Sequence, residues 1–113
     1  MNIKKIDNIK FKGSVVIVDE YGRKATPVLQ RALTARLGTT IYDLQEIIKP
    51  KPFDLFISPK GHDNIGVNAN KVYAGVLRGE TDYKFVHKSV LDRIIEVAKT
   101  SIAEYENFMQ KNV

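Results

Sequence analysis

Few residues in this chain have types that do chemistry, and they are spread thinly. His62 and His87 are the only histidines, and histidine alone among unperturbed side chains changes charge near neutral pH. His62-Asp63, next to Gly61, has the pairing that orients an imidazole for acid-base work, yet its polar surroundings read as structural. His87 stands just ahead of an apolar helical stretch and reads as a surface or capping residue. Asp19-Glu20 closes an apolar run, a position where carboxylates sometimes act, and without a second catalytic partner nearby it reads as a solvated strand end. No His-x-His or His-x-x-x-His pair occurs, and neither Gly-x-x-x-x-Gly-Lys nor Gly-x-Gly-x-x-Gly is present, so the expectation is no dedicated metal site, no cofactor and no phosphate-cradling loop. With no cysteine there is no thiol nucleophile and no disulfide framework. The expected class is therefore non-enzymatic.

Binding is what remains. The formal charge is +5 with a pI near 9.5, and its distribution is uneven. Between Tyr21 and Tyr42 stand Arg23, Lys24, Arg31 and Arg36 with no acidic residue among them. A basic, acid-free stretch of this kind favours a polyanion, most often nucleic acid; the alternative is a solvated face.

These residues must be held by elements that the sequence announces. The run Val15 to Val18 is β-branched and continuous, which predicts a buried strand; Tyr21-Gly22-Arg23-Lys24 then reads as a turn. Thr26-Pro27 predicts a helix start, since the threonine oxygen caps a free amide and proline at the first position loses no needed donor. That helix should bury Leu29, Ala32, Leu33 and Leu37, expose Gln30, Arg31 and Thr34, and end at Gly38. Thr39 to Lys49 reads as a second helix. Lys49-Pro50-Lys51-Pro52 stops it, and a strand is expected over Phe53 to Ser58, closed by Pro59-Lys60-Gly61.

His62 to Asn70, rich in asparagine, reads as a surface loop and the first place to look for binding. From about Ser89 to Gln110 a long helix is expected, its seam formed by Leu91, Ile95, Ala98, Ile102, Tyr105 and Met109. The narrower end of that seam, Ile102, Tyr105 and Met109, is a candidate subunit interface. The expected fold is α+β: one small domain over residues 1–113 with a few strands, a capped helix from Pro27 and a long C-terminal helix. Apolar runs are too short to cross a bilayer and no apolar signal region follows the charged N-terminus, so a soluble, cytoplasmic protein is expected.

Residues 64–98, NIGVNANKVYAGVLRGETDYKFVHKSVLDRIIEVA, admit two readings. A Gly-Val pair, a short segment ending Val-Leu-Arg-Gly and a segment Val-Leu-x-x-Ile-Ile-x-x-Ala resemble the end of a repressor-type helix-turn-helix domain. The resemblance implies a helix over Ala69 to Leu77 in the major groove of duplex DNA, Asn68, Asn70 and Lys71 near base edges, and Arg78, Lys84 and Lys88 toward phosphates. It also implies a homodimeric DNA-binding regulator of the kind found on mobile elements. The other reading makes Lys71 to Arg78 and Tyr83 to His87 two strands joined at Gly79-Glu80-Thr81-Asp82, leaving Arg31 and Arg36 as the electrostatic footprint. The competing functional class is a protein-interaction or assembly module that uses the last helix.

Overall fold

A strand that starts at Val15 needs its backbone to pass close beneath the end of a helix, and glycine permits it. A Cβ on Gly13 would overlap the carbonyl oxygens of Phe53 and Ile48, while the Gly13 N–H donates to Lys49 O at 3.2 Å. The structure, a computed structural model, describes residues 12–61, 63–73, 76–78 and 84–111, with the backbone alone at 70–73, 76–78, 84, 85, 88 and 111. In chain order it contains β1 (Val15–Ile17), α1 (Pro27–Leu37), α2 (Thr40–Ile48), β2 (Asp54–Lys60), β3 (Asn64–Tyr73), β4 (Val76–Arg78) and β5 (Lys84–His87). A 3-10 helix (Lys88–Arg93) then leads into α3 (Ile94–Lys111).

The fold is α+β, as the sequence implies. Its sheet is mixed: β1 runs parallel to β2, to which it is joined through α1 and α2, and the remaining pairs are antiparallel in the order β1-β2-β3-β4, with β5 also on β3. Alternation along the strands sorts the side chains. Ile17, Leu55, Ile57, Ile65, Val67, Ala69 and Val86 join Leu33, Leu37, Leu44 and Ile48 of the first two helices and Ile94, Ala98, Ile102 and Tyr105 of α3 in one apolar cluster. Val18, Phe56, Ser58 and Asn68 are buried outside that cluster, on the opposite face of the sheet.

The capped helix begins as expected. Thr26 Oγ1 accepts from Leu29 N at 3.2 Å with Pro27 in the first turn, and Gly38, at φ 58°, closes the helix with its N–H on Thr34 O. Ala32, expected inside, is exposed, because Leu33 and Leu37 alone make the buried stripe of α1.

Three expectations are corrected. The helix over Ala69 to Leu77 does not form: Asn64–Tyr73 is a strand paired to β2 along Asn64–Asn70, and Val76–Arg78 folds back on Lys71–Tyr73. The strand alternative holds in kind but not in pairing, because the chain reverses between Tyr73 and Val76 and β5 pairs with Asn64–Val67 instead. The surface loop expected over His62 to Asn70 is the buried centre of the sheet, since Ile65, Val67 and Ala69 repeat with period two and each is fully buried; His62 itself lies outside the described residues. The last helix lies where it is expected, from about Ser89 to Gln110, with its first turns as the 3-10 helix, in which Val90 sits at φ −129°, ψ 42°, and its α-helical part from Ile94.

α3 lies across β3 and repairs a gap in it. Alternate residues of an antiparallel strand face alternate neighbours. On the edge of β3 away from β2, Ile65 and Val67 meet β5 while Lys71 and Tyr73 meet β4. Ala69 falls between the two, and its N–H donates to the buried Ser101 Oγ of α3 at 2.9 Å.

Candidate nucleic-acid interface

The basic stretch occupies a tight loop and the helix it feeds. At the loop, Asp19 Oδ1 accepts from the backbone N–H groups of Tyr21 and Arg23, each at 2.9 Å, and Gly22 takes φ 81°. Val18 and Lys24 bridge across the base, and Lys60 Nζ reaches over to donate to Glu20 O at 3.1 Å. The Arg23 N–H first, then the Tyr21 N–H and the Arg23 guanidinium, hold the Asp19 carboxyl below the usual carboxylate range. Asp19 thus organises the turn, where the sequence alone suggested only a solvated strand end.

The ordered loop presents an aromatic ring. Tyr21 is 72% exposed, and the Arg23 guanidinium sits 5.2 Å from its ring centroid, within the range of a cation–π contact. Arg23 Nε also reaches Asp19 Oδ2 at 3.3 Å, an exposed pair of the kind that contributes little. Lys24 is exposed.

Two residues on, α1 carries an open groove of about 640 Å³ lined by Pro27, Gln30, Arg31, Thr34 and Ala35. Arg31 has no ion pair among the described residues. Arg36 is not part of this groove. Five residues along a helix turn it about 140° from Arg31, and its place in the last turn of α1 suits the negative end of the helix dipole. The four basic residues therefore divide: Arg23, Lys24 and Arg31 belong to the loop and the groove, and Arg36 to another flank.

The second group of predicted contacts does not assemble as a reading helix. Asn68 is 2% exposed on the inner sheet, so it is closed to a base edge. Asn70 and Lys71 lie in β3, Arg78 in β4 and Lys84 at the start of β5, with Lys71 opposite Arg78 and Lys84 opposite Val67 in register; Lys88 opens the 3-10 helix. The proposed interface of α3 is corrected in the same way. Ile102 and Tyr105 are 4% and 5% exposed, committed to the chain's own core, with Tyr105 edge-on to Phe53 at 5.0 Å. Met109 alone is half-buried and lines a groove of about 430 Å³ with Pro52, Phe53, Ala103 and Glu106.

Sequence reasoning missed Tyr21 and the groove residues Gln30 and Thr34. An aromatic inside a Tyr-Gly-Arg-Lys turn was the available signal for the first. Among the described residues no three histidine, aspartate or glutamate side chains gather as a metal site, and no helix is long and apolar enough to cross a membrane. Compared with protein-family models, with curated proteins and with solved structures, the chain matches none.

Proposed function

We propose that this chain is a small non-enzymatic nucleic-acid-binding protein whose contact surface is the loop over Asp19 to Lys24 together with the outer face of α1. The observation that carries the reading is the run from Tyr21 to Tyr42, which has four basic residues and no acidic one, all four of them exposed. Lys24 and Arg31 meet phosphates, Gln30 and Thr34 add hydrogen bonds along the groove, and Tyr21 offers a face on which a base stacks. Phosphate contacts of this type give salt-sensitive, largely sequence-blind affinity.

Fluorescence anisotropy with labelled single-stranded and duplex oligonucleotides tests it. The parent chain binds at about 50 mM salt and weakens steeply toward about 200 mM, and Arg31→Glu with Lys24→Glu weakens binding at both. Binding that is absent, or indifferent to salt and to these substitutions, refutes the reading.

The assembly-module reading retains one observation, the groove beside Met109. Truncating the last helix would remove the core residues Ile102 and Tyr105, so the cleaner probe is Met109→Glu, read by size-exclusion chromatography. Loss of a dimer favours that reading, and an unchanged monomer removes it.

A further inference from the structure

Where β3 begins and β5 ends, a third pocket, of about 270 Å³, is lined by Asn64, Val86, His87, Val90, Arg93 and Val97. The polar lining donates. His87 Nδ1 accepts from Ser89 N at 3.2 Å and lies 2.8 Å from Ser89 Oγ. A ring nitrogen that accepts a backbone N–H carries no proton of its own, so the neutral ring holds its hydrogen on Nε2. That leaves Nε2–H as the ring's free donor, since His87 makes no other hydrogen bond among the described residues. Arg93 has no carboxylate partner among them, and Asn64 adds a carboxamide. Among the described residues the rest of the lining is aliphatic: Val86 is buried, Val90 and Val97 half-buried.

An unpaired guanidinium, an imidazole N–H and an amide beside three valines match one chemistry. We propose that this pocket binds a small branched aliphatic carboxylate, its oxygens held by Arg93, Asn64 and His87 Nε2–H and its hydrocarbon laid on Val86, Val90 and Val97. Planar guanidinium donors suit the two oxygens of a carboxylate in a fork. The volume lies just under the range usual for drug-sized ligands, so the occupant has only a handful of non-hydrogen atoms. The site is independent of the nucleic-acid surface, and either can fail without the other.

The test is an amide and methyl NMR titration of the whole chain with isobutyrate, with isobutyramide as the uncharged isostere and inorganic phosphate as the anion without a hydrocarbon. Isobutyrate should bind saturably, moving the Asn64, His87 and Arg93 amides and the Val90 and Val97 methyls, and should bind at least tenfold tighter than either control. Arg93→Gln, at an exposed position and checked for an unchanged circular dichroism spectrum, should weaken isobutyrate at least tenfold. Asn64→Ser should weaken it less while leaving the fold intact. The proposal is overturned if isobutyrate shifts nothing saturably, if isobutyramide or phosphate binds equally well, or if folded Arg93→Gln binds like the parent.

Discussion

Ser101→Ala removes one oxygen from the middle of α3 and should be felt in the sheet. Ser101 is 3% exposed, and its Oγ takes the N–H of Ala69, which stands between the stretches of β3 paired to β5 and β4. Without that oxygen a buried donor has no partner, which costs about 1–3 kcal/mol. Alanine's better helix propensity returns roughly 0.5 kcal/mol, leaving a net loss of about 0.5–2.5 kcal/mol. For a chain of this size about 4 °C is lost per kcal/mol, so the melting temperature should fall by roughly 2–10 °C.

Thr100→Ala is the internal control. Thr100 is exposed and its Oγ1 donates to Glu96 O within the same helix, so its loss leaves nothing buried unpaired and should be neutral or slightly stabilising. Thermal unfolding by far-UV circular dichroism, with two-state behaviour verified, gives both values. Hydrogen exchange at the Ala69 amide localises the effect, and only Ser101→Ala should lower its protection. If Ser101→Ala melts like the parent with that amide equally protected, the helix does not fill the gap in the ladder.

Other predictions follow from single contacts. Gly13→Ala places a Cβ against two backbone carbonyls that cannot move aside and should destabilise by about 3 kcal/mol or more, as read by urea denaturation; an unchanged midpoint contradicts the close approach. Lys51 and Glu106 pair at 2.8 Å while each is about a third exposed, so Glu106→Gln should cost no more than about 1 kcal/mol on the same assay. Asp19 has a depressed folded pKa, so its contribution to the loop is complete above the unfolded value and is lost as pH falls through the folded one. A carboxyl NMR titration should give Asp19 a midpoint below the ordinary aspartate value, with the Arg23 amide moving in step. A midpoint at or above that value removes the turn's hydrogen bonds as its organising feature.

Where local chemistry decides structure, the sequence was legible. Thr26-Pro27 and Gly38 mark the ends of α1 because caps and left-handed positions act within one turn of chain, and the β-branched run before Asp19 becomes β1. Asn64–Asn70 is a strand although its asparagines and glycine favour a loop, because the period-two set Ile65, Val67 and Ala69 is buried. In the centre of a sheet, burial of the alternate positions overrides such propensities. Ile102 and Tyr105 are apolar whether they face a partner or the chain's own sheet. Only tertiary packing assigns them inward, both in the core cluster and Tyr105 edge-on to Phe53. Arg31 and Arg36 belong to one basic run but stand five residues apart, and helix geometry sends them to different flanks.

The most direct test of the nucleic-acid surface is the salt slope of oligonucleotide binding in the parent and in Lys24→Gln with Arg31→Gln. If both side chains touch phosphates, log K against log salt should flatten by roughly one unit for each contact removed, whereas Arg36→Gln, on the other flank, should leave the slope where it was. A slope unaltered by the double substitution, or flattened as much by Arg36→Gln, contradicts the assignment of this surface.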